Sequence, residues 1–327
     1  MYENLKKRST GSVTIQRPVA MISHEDSPAD KDSLRRKARR LYTWDEIPEW
    51  QRDNEHILTG YVGETKSSWE CFKSLFYLHN ESINIYSHLM PGIAFFFILF
   101  FNKFAITKFE TTSFIDYFMI DLFFVGAFTC LTLSSIFHCL KNHSLSVATF
   151  GNKLDYLGIV VLIVNSMISI MYYGFHESPS LFYFFTVVTC SFGLACAVVS
   201  MKERFRTREW RPYRAALFVA FGLSAVLPII AGSIHYGFSE LYLRIQVKWV
   251  LLGGIFYIVG AVLYGMRFPE KCSPGRFDIW GHSHQLFHIL VVVAALCHLN
   301  GLIKSYDLVH LKMAMAPASS PSIDTFN

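Results

Sequence analysis

The chain has 327 residues, 52% of them apolar, 16% aromatic and only 17% charged, with a formal charge of +5. That balance excludes a soluble domain and, past an amino-terminal tail, intrinsic disorder. It also excludes a nucleic-acid module, because the basic residues are scattered between hydrophobic runs instead of gathered on one face.

Of the 55 Asp, Glu, Lys and Arg residues, 26 precede residue 82, so the apolar mass lies downstream. Residues 1–40 carry Ser, Asp and Lys clusters with no apolar period and no signal-peptide core, and read as a disordered cytosolic tail. Its basic run, Arg35 to Arg40, is either a solvated charge cluster or a contact for anionic lipid. Residues 41–81 change texture, with Tyr42, Trp44, Trp50, Trp69, Phe72 and Phe76 set among polar residues. Aromatic rings with a polar edge favour the headgroup zone, so an ordered interfacial segment is expected there. A bilayer core of about 30 Å takes roughly 20 apolar residues per helix. Seven such stretches follow: Ser82 to Asn102, Leu122 to Leu140, Tyr156 to His176, Ser178 to Met201, Ala215 to Ser239, Trp249 to Met266 and Ile279 to Ile303. Residues 304–327 close the chain as a short tail. The fold class expected is all-α, a seven-transmembrane helix bundle occupying residues 82–303. Gly222, Gly260 and Gly265 read as helix-packing residues, and the seven cysteines as reduced packing residues.

Direction follows from Lys and Arg in the short loops, whose excess marks the cytoplasmic side. The loop from Lys202 to Arg214 alone holds six, and Lys141, Lys153, Arg267, Lys271 and Arg276 fall on the same side. The amino terminus is therefore expected to be cytoplasmic and the carboxyl terminus extracytoplasmic. A glycosylation acceptor placed in the first 80 residues and modified in the lumen would reverse this assignment.

Ionisable groups in a membrane are costly, so each needs a reason. In Gly281-His282-Ser283-His284-Gln285-Leu286-Phe287-His288, residues 284 and 288 share one helical face and can chelate one metal ion. The seventh span starts at the cytoplasmic side, the second ends there with His138, and the third starts there just after Asp155. Three imidazoles and one carboxylate from three helices thus fall in one layer. Three histidines with an open fourth position are the pattern of catalytic zinc, with Asp155 placed to orient or deprotonate a water. Ser134, four residues before His138, either serves that water or a substrate carbonyl, or bonds its own helix backbone. His298 lies 14 residues beyond His284, roughly 21 Å along the helix, and cannot share the ion. His282 points away and reads as interfacial. Glu81, Asn84 and His88 recur at helical spacing as a supporting or packing network, while His176 and Glu177 read as solvated in the external turn.

These residues resemble the progestin and adiponectin receptor family, most closely its adiponectin-receptor-like branch and the fungal zinc-homeostasis relatives. The resemblance runs from about Leu41 to Ile303. It is carried by Ile47-Pro48-Glu49-Trp50 with Asp53-Asn54, His79-Asn80-Glu81 through His88, Ser134 with Phe137-His138, Lys153-Leu154-Asp155-Tyr156, Pro269-Glu270, and Pro274-Gly275-Arg276-Phe277-Asp278-Ile279-Trp280 with the histidine stretch after it. It implies zinc held by His138, His284 and His288, Asp155 acting through bound water, and lipid amide hydrolysis of the ceramidase kind. The partners it implies are a membrane lipid, ceramide-like or sterol-related, and, in the receptor reading, an extracellular protein ligand. A homo-oligomer stays open, as does the choice between plasma membrane and endoplasmic reticulum.

Five readings compete at this point. They are a zinc-dependent lipid amide hydrolase, a signalling receptor in which zinc is a structural staple, an ordinary G-protein-coupled receptor, a bis-histidine haem protein and a zinc transporter. The third needs an outside amino terminus, contrary to the loop-charge count, and an Asp-Arg-Tyr at the cytoplasmic end of the third span, where the chain has none. The fifth needs a polar path in the external half of the seventh span, where His298 stands alone.

Overall fold

In a computed structural model, residues 40–315 are described. Only Arg40 of the expected tail falls among them, and residues 316–327 lie outside. Two short strands, β1 (Leu41–Tyr42) and β2 (Tyr61–Val62), pair antiparallel with Leu41 opposite Val62. The loop they enclose buries Ile47 and Ile57 with Tyr61, and Tyr42 and Trp44 pack on them. This part of residues 41–81 therefore builds a small core of its own, in which Trp44 and Tyr61 pack. In α1 (Ser68–Lys73) and the turn after it Trp69, Phe72 and Phe76 are exposed, Trp69 stacking on Phe72 and Phe72 meeting Phe76 edge-on.

Seven helices or helix pairs long and apolar enough to cross a membrane follow. They are α2 (Ser82–Ala105), α3 (Phe114–Leu140), α4 (Leu145–Gly174), α5 (Pro179–Ser200), the pair α6 (Arg211–Leu223) and α7 (Val226–Tyr236), then, after the short α8 (Phe238–Arg244), α9 (Val247–Met266) and α10 (Ser283–Met315). Large apolar side chains face outward along all of them; Ile234, for one, is 82% exposed. An apolar exterior over this length is what lipid requires. The protein is an all-α, multi-pass integral membrane protein.

Several boundaries differ from expectation. The second span's helix begins at Phe114 and not at Leu122, and the seventh's at Ser283 and not at Ile279. The third span's helix begins at Leu145, because Ser144 caps it by accepting the Val147 N–H, and its polar first turns leave Asp155 well inside the helix. The fifth span is broken at residues 224–225. Pro228, in the first turn of α7, has no N–H to offer the Ser224 carbonyl and its ring crowds that carbonyl, which fixes the break. The seventh span's helix runs past Ile303 to Met315. Its extension is anchored where His310 Nδ1 accepts from Thr111 Oγ1 at 2.7 Å and its Nε2 lies 3.2 Å from Asp116 Oδ1. Tyr306 donates to the Thr107 carbonyl at 2.6 Å.

The bundle's basic end carries a polar cap. Asp278 accepts from the Leu58 and Thr59 amides at 2.9 and 2.8 Å and from the Thr59 hydroxyl at 2.7 Å. Buried Glu270 accepts from Asn54 Nδ2 at 3.0 Å and from the Ser283 amide at 2.7 Å, satisfying an orphan donor at the start of α10. His282, expected to be interfacial, is buried in this cap, with its Nε2 3.3 Å from the Asn80 carbonyl oxygen. At the other end His176 is also buried, against Tyr172, whereas Glu177 is exposed as expected and pairs with Arg244 at 2.9 Å. All seven cysteines are free. Gly260 and Gly265 meet α10 and α6 in the expected way, but Gly222 has nothing within 4 Å and faces open space. The tight helix approach is at Gly158, where a Cβ would stand 2.9 Å from Cys130 Cα.

Candidate metal centre

His138 stands in the last turn of α3, and His284 and His288 in the first two turns of α10. One ligand-type atom from each lies within 4.8 Å of the other two. The rings meet edge-on, with centroids 4.8 Å apart for His138 and His284, 4.9 Å for His138 and His288, and 4.7 Å for His284 and His288.

The hydrogen bonds around them decide which nitrogens face inward. His138 Nδ1 is 2.8 Å from Glu81 Oε2. A carboxylate accepts, so Nδ1 carries the hydrogen and Nε2 keeps a lone pair, buried and without a protein partner. His288 repeats the arrangement with a backbone acceptor: its Nδ1 donates to the Asn84 carbonyl at 3.0 Å. Imidazoles fixed by a carboxylate or carbonyl on one nitrogen, with a lone pair on the other, are the donor set of a zinc site. The residues present fit zinc.

Glu81 is the hub on the far side. It accepts from Lys141 Nζ at 2.6 Å and from Asn84 Nδ2 at 2.6 Å as well as from His138. Burial by itself would raise its carboxyl, but Lys141 and His138 hold it well below the usual carboxylate range. His88 supports the cluster differently, stacking on His288 with centroids 3.7 Å apart and 8° between planes. Tyr264 stands edge-on to His284 at 5.0 Å, with Arg211 3.9 Å above the phenol ring. Arg211 in turn reaches Asp53 at 3.4 Å, and against the cost of burial the surrounding cations, Arg211 first, hold that carboxyl down at about 2.

The histidine cluster opens into a cavity of about 860 Å³. Its wall at this level includes Asp155 and Ser134 together with His138, His284 and His288. Ser134 Oγ is buried beside the Asp155 carboxyl and makes no hydrogen bond back to its own helix, whereas its neighbour Ser135 donates to the Leu131 carbonyl at 2.8 Å. The cavity runs from Asp53, Arg208 and Lys141 at the basic end, past the histidines, to Ile170, Val250 and His298. His298 lies in this deep part and takes no place in the cluster.

Spacing along one helix pairs His284 with His288, and span direction brings in His138. Tyr264 and Arg211 carry no such signal, since each is an ordinary helix-end residue until α6, α9 and α10 meet. Lys141 counts in the sequence only as a loop charge, yet it sits on Glu81.

A membrane-embedded helical bundle with a histidine nest at one end defines a class, and comparison with known proteins gives the family. The haemolysin-III-related family model matches residues 76–299. The chain is 61% identical over 311 residues to the ADIPOR-like receptor IZH2 of Saccharomyces cerevisiae, covering 95% of each. It is 46% identical to the ADIPOR-like receptor IZH1 of Eremothecium gossypii, over 90% of this chain and 93% of that one. It is 40% identical to the adiponectin receptor protein of Drosophila melanogaster, over 78% of this chain and 57% of that longer protein. The chain belongs to the haemolysin-III-related family, in its adiponectin-receptor-like branch.

Proposed function

We propose that the protein is an intramembrane zinc-dependent hydrolase of ceramide-like lipid amides. The observation that carries this reading is the pairing of the histidine nest with a cavity long enough for a lipid chain and walled by Asp155 at the same level. His138, His284 and His288 would hold the metal. Zinc bound there supplies a Lewis acid for an amide carbonyl and makes water nucleophilic near neutral pH. Asp155 takes the proton of the attacking water on its carboxylate and passes it to the departing nitrogen, so that amide and water become fatty acid and amine. Ser134 Oγ, buried beside Asp155, offers an O–H to the substrate carbonyl or to the Asp155 carboxylate. Glu81 and the Asn84 carbonyl keep the two imidazoles in the tautomer a metal needs.

The test is Asp155→Asn in the purified, zinc-loaded protein. Bound zinc should stay stoichiometric while fatty-acid release from a labelled ceramide falls by roughly 100-fold or more. Undiminished turnover in this variant, or none in a fully metallated wild type, contradicts the proposal.

A second reading is favoured by the receptor names of the relatives. In it zinc staples α3 to α10 and an extracellular ligand shifts the bundle. Signalling that survives Asp155→Asn but is lost with His284→Ala would select it.

A further inference from the structure

The cavity continues well beyond the histidine nest, and its deep part is not uniformly apolar. Along α10 the wall carries His288, Val291 and His298. The ten residues from His288 to His298 rise about 15 Å. That is half of the roughly 30 Å hydrocarbon core, the length one lipid chain occupies in its leaflet. Ile163, Met167, Ile170 and Val250 line this arm as a hydrocarbon chain would require, and Tyr257 and His298 interrupt them.

The chemistry of His298 is set by its neighbour. Its Nε2 lies 2.9 Å from the Ser166 carbonyl oxygen. A carbonyl only accepts, so Nε2 bears the hydrogen. A neutral imidazole, the form that avoids a bare charge at this depth, then presents Nδ1 as an acceptor. Phe123 stacks on the ring with centroids 5.5 Å apart, fixing its plane. Nδ1 meets no hydrogen-bond donor among the described residues. An acceptor in an apolar chamber is costly until an O–H reaches it, so this nitrogen marks a position along the chain where an O–H belongs.

We propose that the deep arm takes a lipid chain carrying a hydroxyl in its distal half, and that His298 Nδ1 accepts the hydrogen bond from that hydroxyl. His298 is thereby a specificity-determining residue for hydroxylated over plain chains. The inference rests on reading the cavity as a lipid seat; it does not require that the lipid be hydrolysed.

The experiment measures binding to the full-length protein in detergent, by displacement of a fluorescent fatty-acid probe with oleic acid and with ricinoleic acid, which adds a hydroxyl well down the chain. Wild type should bind ricinoleic acid roughly fivefold tighter, the yield of one neutral hydrogen bond. His298→Phe removes the acceptor; it should bind oleic acid as wild type does and lose the preference. His298→Gln keeps both functions, an amide N–H for the Ser166 carbonyl and an amide oxygen that accepts, and should retain the preference. Equal binding of the two acids by wild type, or a preference that survives in His298→Phe, overturns the assignment of His298 and leaves the lipid seat standing. Failure of either acid to displace the probe overturns the lipid seat and this inference with it.

Discussion

Glu81 stands outside the histidine group, yet its hydrogen bond to Nδ1 sets which nitrogen of His138 faces the nest. Glu81→Gln keeps the shape and removes the charge that fixes the tautomer and neutralises Lys141. Zinc affinity, read by competition with a chelator, should fall by roughly 10- to 100-fold while helix content by circular dichroism stays unchanged. Unaltered affinity would mean that the carboxylate only caps Lys141. His79 is a different kind of residue. It is fully buried, and burial pushes its imidazole down to about 4 despite the pull of the Glu81 carboxylate. Its folded value lies below the ordinary 6.5. The stability it contributes is therefore complete above that value and is lost as pH falls toward 4, about 3 kcal/mol in all. Thermal unfolding should weaken steadily from pH 7 to pH 4.5, and His79→Gln should flatten the dependence by up to roughly 1.4 kcal/mol per pH unit. An equally steep profile in the variant would assign the loss to other groups.

Helix geometry sorts the glycines in a way spacing does not. At Gly158 a Cβ would meet the Cys130 backbone at 2.9 Å, which neither α3 nor α4 can relieve without moving, whereas at Gly222 it would enter open space. Gly158→Ala should lower stability by about 1–3 kcal/mol in detergent unfolding, while Gly222→Ala should leave it unchanged or slightly improved. The reverse order would mean that the α3–α4 contact is looser than the geometry gives. The spans themselves were legible because a charge in hydrocarbon is so costly that the gaps between charged residues mark them out. Their ends were not. The first turns of α4 are polar and capped by Ser144, outside any hydropathy window, and the extension of α10 is held by His310 and Tyr306 against a loop almost 200 residues earlier. The break in the fifth span was readable from Pro228 but invisible to a count of apolar residues.

In the whole molecule, the polar cap at the basic end joins residues that are distant in sequence: Asn54 to Glu270, and Thr59 to Asp278. That cap fixes the start of α10, and with it the height of His284 and His288 opposite His138. The layer in which these histidines meet is given to within a turn or two by span direction, which is why the nest was legible in the sequence. The partners that orient the rings were only partly so, because a backbone carbonyl such as that of Asn84 leaves no mark in residue identity. The account's central claim is that His138, His284 and His288 jointly hold one zinc ion. Its most direct test is elemental analysis of the purified wild type beside His138→Ala and His284→Ala, after exchange into metal-free buffer. The account predicts one zinc per wild-type chain and near-complete loss in either variant; a wild type free of zinc, or variants that retain it in full, would contradict the claim.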